Sequence, residues 1–168
     1  SQIRQDLNCF GGFGQQGYGY NILDLRHEIG KILGLNVENK AILIGAGNLG
    51  KAIASHLNFE KMGFKLIGIF DNDPQLIDTK IMDIKVSDIK NLEMFCEKHK
   101  PDVAVLCIPK SAANLLSEKL ISYGISAFWN FSHYDFRLSN QDVIVENVHL
   151  GDSLMVLSYN LRERNEKQ

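Results

Sequence analysis

A glycine-rich turn between an apolar strand and a helix constrains the fold of this chain more than any other feature. Residues 41–44 form an uninterrupted apolar run, which is followed directly by Gly45, Ala46, Gly47, Asn48, Leu49 and Gly50. This spacing is G-x-G-x-x-G, the turn that leads from a buried strand into a helix in dinucleotide-binding units. The first glycine permits the tight turn, the second lets a phosphate approach the backbone, and the third lets helix and strand pack closely. We therefore predict a βα unit that binds a nucleotide.

Short apolar runs alternate with amphipathic stretches over the rest of the chain. We predict strands at 41–44, 64–70, 103–108, 126–130 and 143–148, and helices at 49–57, 87–99, 111–122 and 151–164. Ser87 is the predicted cap of the second of these helices. Apolar strands separated by helices are typical of a parallel sheet covered on both faces. The sequence thus predicts an α/β fold, a doubly wound Rossmann domain beginning near Lys40.

The segment before residue 40 has a different pattern. Residues 2–10 have helical spacing, and glycines alternate with aromatic and amide residues over 11–20, which favours a short hairpin. A further helix is predicted over 22–33, with Asn21 as its cap and Gly34 as its end.

An acidic residue follows the second strand of the predicted sheet. Asp71 stands about 20 residues beyond Gly50, the offset expected for a carboxylate that binds the adenosine ribose. Such a carboxylate repels the additional phosphate of NADP, and no arginine follows in 72–74. We therefore expect NADH or NAD+ as the ligand, with its pyrophosphate at the start of the helix.

The composition excludes several classes of protein. The chain has 168 residues, 45% of them hydrophobic, and a net charge of −2, which excludes a disordered chain. No apolar run approaches the ~20 residues of a membrane span, so no membrane partner is predicted. The cysteines are odd in number and widely spaced, which indicates reducing cytoplasm and neither a disulfide framework nor a metal site.

No catalytic constellation is visible. The histidines at 27, 56, 99 and 133 have ordinary roles as solvated or hydrogen-bonded side chains, and Cys107 reads best as a small buried residue. A dehydrogenase needs a proton donor beside the nicotinamide, usually from a second domain. We therefore predict no catalytic residue, and sensing rather than turnover.

Several segments in order resemble the Rex family of bacterial redox-sensing transcriptional repressors. They are residues 1–7, 10–20, 45–50, 70–74, 108–109, 124–125, 130–131 and 145–148. The resemblance implies a winged helix that binds operator DNA, a Rossmann domain that binds NADH or NAD+, and a C-terminal helix exchanged within a homodimer. It also implies that rising NADH releases the DNA, which is a linkage between two binding sites.

The resemblance assigns domains and site residues. The domains are a winged-helix remnant at 1–20, a connecting helix at 21–39, the Rossmann domain at 40–148 and a dimerisation helix at 149–168. Because earlier parts of a winged helix are absent, we expect this chain to be a fragment. The DNA contacts implied are Ser1, Gln2, Arg4 and Gln15. The cofactor contacts implied are Gly45 to Gly50, Asp71, Asn72, Ile108, Pro109, Asn130 and Phe131, with Pro109 and Phe131 at the nicotinamide.

The chain departs from the family pattern in three places. Gln15 replaces a basic residue of the wing, Ser132-His133 replaces Ala-Pro, and His149 replaces an acid of the interdomain contacts. Alternative functions from the residues are an NAD-binding regulatory domain of a transport system, a small NAD-dependent oxidoreductase, and a CoA-binding domain.

Overall fold

The structure is a computed structural model that describes residues 14–15, 19–20, 22–32, 34, 38–136 and 142–166. Its contacts divide the chain into two compact units. One unit comprises the residues up to 38 together with 58–64, and the other comprises 39–57 and 65–168.

The first unit contains a two-stranded hairpin and a helix. Strand β1 (Gly14–Gln15) pairs antiparallel with β2 (Gly19–Tyr20), which confirms the predicted hairpin. Helix α1 (Ile22–Ile32) follows, and Gly34 has a φ of +69°, a conformation that glycine adopts without strain. The predicted end of this helix is therefore confirmed. The predicted cap Asn21 and the predicted helix over 2–10 lie outside the described residues.

A seven-stranded sheet forms the larger part of the structure. Its strands are β3 (Asn39–Ile44), β4 (Phe64–Asp71), β5 (Lys80–Ile81), β6 (Ile84–Asp88), β7 (Val103–Leu106), β8 (Ala127–Asn130) and β9 (Ile144–Asn147). Their order is β5-β6-β4-β3-β7-β8-β9. Parallel ladders join β3 to β7, β4 to β6, β7 to β8 and β8 to β9, and only β5 is antiparallel to its neighbour β6 among the described pairings.

In the part of the chain that the structure describes, four α-helices connect these strands or follow them. They are α2 (Asn48–His56), α3 (Leu92–His99), α4 (Lys110–Ser122) and α5 (Leu150–Glu166). The mostly parallel sheet with its helical connections confirms the predicted α/β fold of the doubly wound class.

Apolar runs in the central strands explain why the sheet forms where it does. Ala41 to Ile44 in β3 and Ala104 to Leu106 in β7 are each at most 2% exposed. Strands that are apolar at consecutive positions, rather than alternating, are buried on both faces. Leu120 of α4 and Phe128 of β8 belong to the same core cluster.

The predicted helix over 87–99 is wrong in its first part. Ser87 is a residue of strand β6 and does not cap a helix. The side chain of Asp88 accepts a hydrogen bond from the Lys90 amide instead, a short 3-10 turn follows, and α3 begins only at Leu92. Ile84 and Val86 point to one face of β6 while Lys85 points to the other, so the segment has the two-residue period of a strand.

The strand order reverses direction at β3. Strands β4 and β6 lie on one side of β3, whereas β7, β8 and β9 lie on the other. In open α/β sheets the crevice outside the carboxyl ends of the strands at such a reversal is where ligands bind. The turns that follow β3 and β7 are therefore the first place to look for a functional site.

Candidate nucleotide-binding site

Gly45 makes the first turn of the glycine motif at the end of β3. Its φ is +97°, and its amide donates to the Phe70 carbonyl over 2.9 Å, which ties the turn to strand β4. A Cβ at this position would overlap the Cys107 carbonyl oxygen and approach Ile108 Cγ2 to 2.8 Å. Only glycine combines this φ with this close approach of the turn after β7.

The start of helix α2 presents unpaired amides. Gly47 is the N-cap residue, with φ −66° and ψ −170°, and it supplies no side-chain cap. The first intrahelical bond comes from the Lys51 amide to the Gly47 carbonyl at 2.8 Å, so the amides of Asn48, Leu49 and Gly50 have no acceptor within the helix. A Cβ on Gly47 would meet nothing within 4 Å. Gly47, Asn48 and Leu49 are exposed, so an anion can reach this helix start.

Gly50 explains how the helix lies so close to the strand. A Cβ at Gly50 would overlap the Gly45 carbonyl oxygen and would lie 3.0 Å from Leu43 Cδ2. The third glycine of the motif is therefore required by packing, as its spacing predicts.

The Asp71 carboxylate is fixed by backbone amides at the end of β4. Its Oδ2 accepts from the Ala46 amide at 2.6 Å, inside the glycine turn. Its Oδ1 accepts from the amides of Asn72 and Asp73 at 2.7 and 2.8 Å. The carboxylate is half-buried and beside the start of α2, which is the neighbourhood that the sequence spacing predicts. Hydrogen bonds from amides to a charged acceptor hold the carboxylate in one orientation.

The segments after β7 and β8 lie next to each other. Pro109 is the exposed N-cap of α4, and its carbonyl accepts from the Ala113 amide at 3.0 Å. The Phe131 amide donates to the Leu106 carbonyl at 3.0 Å, and its ring meets the Trp129 ring edge-on at 4.8 Å between centroids. Ile108 and Phe131 are both half-buried. The predicted nicotinamide residues thus follow adjacent parallel strands at the same edge of the sheet.

Asn130 has a structural role for its side chain. It is 1% exposed, and its Nδ2 donates to the Tyr134 carbonyl at 2.8 Å and to Asn147 Oδ1 at 2.7 Å. Its Oδ1 accepts from the Ser132 amide at 3.0 Å and from the Ser132 hydroxyl. This amide therefore joins the ends of β8 and β9, and its predicted contact with a cofactor stays a prediction.

Burial keeps two cysteine thiols protonated. It raises the pKa of Cys107, in the turn after β7, to about 12, and it raises the pKa of Cys96 in α3 to about 11. Because the thiolate is the reactive form, neither thiol is poised for oxidation near neutral pH.

His133 and His149, which are far apart in the sequence, are paired in the structure. His133 Nδ1 lies 2.7 Å from His149 Nδ1, although the two residues are 16 positions apart. No local pattern links them, because the contact arises only when β8 and β9 lie side by side.

The predicted DNA contacts are largely beyond what the structure describes. Ser1, Gln2 and Arg4 lie outside the described residues, and Gln15 is described only as a residue of strand β1. Asn72 is exposed, and its amide binds Asp71. Among the described residues, no helix is long and apolar enough to cross a membrane, and no cluster of three or more His, Cys, Asp or Glu side chains is placed to hold a metal ion.

Curated relatives match almost the whole chain. The redox-sensing transcriptional repressor Rex of Thermoanaerobacter sp. (strain X514) is 55% identical over 163 residues, which are 97% of this chain and 72% of the relative. The chain belongs to the Rex family. The Rex repressor of Clostridium acetobutylicum is 49% identical over 168 residues, which are 100% of this chain and 78% of that Rex protein. The resemblance seen in the sequence is therefore confirmed.

Solved Rex structures have the same fold. RSP in complex with β-NAD+ and operator DNA is 53% identical, with a TM-score of 0.85 over 98% of this chain and 76% of RSP. RSP in complex with β-NADH is 49% identical, with a TM-score of 0.84 over the same shares of the two chains. RSP is described as a Rex-family repressor. In addition, residues 36–134 match the family model described as CoA binding domain, so this segment is a domain of that family.

Proposed function

We propose that this Rex-family chain is a redox-sensing transcriptional repressor that binds NADH or NAD+ and releases operator DNA when NADH rises. The observation that carries the proposal is the Asp71 carboxylate, fixed by the Ala46 amide at 2.6 Å beside the open start of α2. The related repressor RSP, at 53% identity, was crystallised with β-NAD+ and operator DNA, and it was also crystallised with β-NADH.

Different groups of the site would bind the pyrophosphate and the adenosine ribose of a dinucleotide. The pyrophosphate would lie on the amides of Asn48, Leu49 and Gly50, where the helix macrodipole favours negative charge. The ribose hydroxyls would donate to Asp71, whose oxygens keep acceptor capacity beyond their present amide bonds. Asn72 and Ala46 complete this part of the site.

The redox state would be read at the nicotinamide. Ile108, Pro109 and Phe131 offer an apolar surface after β7 and β8, and Asn130, the last residue of β8, pairs with Asn147 of β9. The oxidised nicotinamide is a cation and the reduced one is neutral, so a closed apolar pocket favours NADH. Burial keeps Cys96 and Cys107 protonated, which supports the nucleotide rather than these thiols as the source of the redox signal.

The repressor would respond through linkage. If NADH binds the DNA-free form better than the DNA-bound form, it must weaken DNA binding by the same factor. Ser1, Gln2, Arg4 and Gln15 are the proposed DNA contacts, in a winged-helix segment at 1–20. The proposed Rossmann domain spans 40–148, after a connecting helix at 21–39.

The last helix supports a homodimer. Helix α5 exposes large apolar side chains, with Leu154 at 67%, Leu157 at 53% and Leu161 at 52%. An apolar surface of this kind is typical of a contact with another protein. We assign residues 149–168 as a dimerisation helix that is exchanged between two copies. The chain would act in the cytoplasm and would have no enzymatic activity of its own.

A CoA ligand is the second candidate, because residues 36–134 match the CoA binding domain family. The two ligands differ at the ribose, since that of CoA carries a 3′-phosphate that would lie near the negative charge of Asp71. We therefore favour NADH on electrostatic grounds.

The test is a titration of the purified chain with NADH, NAD+, NADPH and CoA, followed by nicotinamide fluorescence and by melting temperature. We expect NADH to bind most tightly and to raise the melting temperature most. Preference for CoA would overturn the proposal, as would equal affinity for NADH and NAD+. Turnover of NADH with simple aldehydes or keto acids would favour an oxidoreductase.

A further inference from the structure

The most unusual polar contact outside the nucleotide site joins two imidazoles. His133 Nδ1 and His149 Nδ1 are 2.7 Å apart, the ring centroids are 4.8 Å apart, and the ring planes differ by 15°. The nitrogens are much closer than the ring centres, so the rings meet edge to edge, with both Nδ1 atoms between them. Each Nδ1 thus directs its in-plane electron pair or its proton at the other ring.

The buried network beneath this pair holds both histidines in place. Asn130 binds Ser132, which precedes His133, and it also binds Asn147, two residues before His149. The His149 carbonyl also accepts from the Asp152 amide at 3.0 Å in the first turn of α5. His133 has a φ of +57°, a left-handed conformation that turns its segment after β8. The segments that carry the two histidines are therefore tied together, while both histidines are exposed to solvent.

We propose that His133 and His149 form a two-imidazole site for a divalent d-block cation such as Zn²⁺. Neutral imidazole is the commonest protein ligand for such ions, at Zn–N distances of about 2.0–2.1 Å. Two such bonds at the tetrahedral angle place the nitrogens roughly 3.3 Å apart, so a small outward movement of the exposed rings admits the ion.

Binding of the ion to the neutral histidine pair requires one proton to move. In the neutral pair one ring carries its proton on Nδ1 and donates to the other. On binding, that proton moves to Nε2 through solvent, so both Nδ1 electron pairs bind the ion and no net proton is released. When the pair holds one additional proton, that proton is released to water.

The site supplies two ligands from the protein. Among the described residues no third His, Cys, Asp or Glu joins these two in a cluster. The remaining positions on the ion are therefore left to water or to a small anion. An ion here would also tie the segment after β8 to the start of α5.

The experiment titrates Zn²⁺ alone into the full chain by calorimetry in a buffer that does not bind metal. The matched set is wild type, His133→Gln, His149→Gln and His56→Gln, the last being an exposed histidine at the end of α2. We expect one Zn²⁺ per wild-type chain, unchanged affinity in His56→Gln, and affinity lower by about tenfold or more in each of the other two variants. The proposal is overturned if wild type binds no Zn²⁺, or if His133→Gln or His149→Gln binds Zn²⁺ with unchanged affinity.

A second measurement keeps the test valid if a pair variant fails to fold. Cu²⁺ added to wild type gives an electron paramagnetic resonance spectrum whose hyperfine pattern counts the bound nitrogens. We expect the pattern of two bound imidazole nitrogens. A spectrum with oxygen ligands alone contradicts the proposal.

Discussion

Two alanine substitutions in the same glycine turn should separate an effect on stability from an effect on NADH binding. Gly45→Ala places a Cβ at a φ of +97°, against the Cys107 carbonyl oxygen and 2.8 Å from Ile108 Cγ2. The unfavourable φ costs about 1–2 kcal/mol and the crowding about 1–3 kcal/mol, which sum to roughly 2–5 kcal/mol of unfolding free energy. For a chain of this size, 1 kcal/mol corresponds to about 2–4 °C in melting temperature, so we expect a fall of roughly 4–20 °C.

Gly47→Ala is the matched control for stability and the sharper test of binding. The φ of Gly47 is −66°, and an added Cβ meets nothing within 4 Å. We therefore expect the unfolding free energy to change by no more than about 0.5 kcal/mol. The same Cβ projects where the pyrophosphate is proposed to lie, so the affinity for NADH should fall by about tenfold or more, a loss of about 1.4 kcal/mol.

Both quantities are measured on the same samples. Urea denaturation gives the unfolding free energies, and fluorescence titration gives the NADH affinities. If Gly45→Ala is as stable as wild type, the packing of the turn against Cys107 is wrong. If Gly47→Ala binds NADH as tightly as wild type, the pyrophosphate does not lie at this helix start.

The other predictions concern one carboxylate, one thiol and one buried amide. Asp71→Asn should weaken NADH binding by about 10–100-fold and reduce the preference for NADH over NADPH, because a charged acceptor is lost. The control Asp73→Asn, measured by the same fluorescence titration, should change neither the NADH affinity nor that preference. Above about pH 9 the folded chain keeps the Cys96 proton, whose pKa is about 11, while the unfolded chain releases it. Between about pH 9 and pH 11 the contribution of Cys96 to the unfolding free energy should therefore fall by up to about 1.4 kcal/mol per pH unit. The pH slope in urea denaturation should be shallower in Cys96→Ala than in wild type, and equal slopes would contradict this. Asn130→Ala should cost about 2–4 kcal/mol in urea denaturation because it leaves buried partners unpaired, whereas exposed Asn114→Ala should cost less than about 0.5 kcal/mol.

Features encoded by neighbouring residues were predictable from the sequence. The glycine turn, the central strands and the end of α1 at Gly34 depend on local spacing and on burial of apolar runs. Strand β6 was missed because Ser87 precedes an amphipathic helix and has the chemistry of a cap. Asp88, the last residue of that strand, caps a short 3-10 turn before the helix instead.

Contacts between distant residues were not predictable. The offset of Asp71 places it near the glycine turn, but its bond to the Ala46 amide is known only from the folded chain. The Asn130–Asn147 bond and the His133–His149 pair depend on the register of β8 against β9, in which Asn130 lies opposite Asn147. A single sequence carries no local signal for such a register.

The most direct measurement is the anisotropy of a labelled operator duplex, taken from the RSP complex, bound to the full-length protein and titrated with NADH, NAD+ and CoA. Linkage predicts that NADH releases the duplex at lower concentration than NAD+ does, and that saturating duplex weakens NADH binding by the same factor. Release by CoA and not by NADH would contradict the account, as would a bound duplex that NADH leaves unchanged.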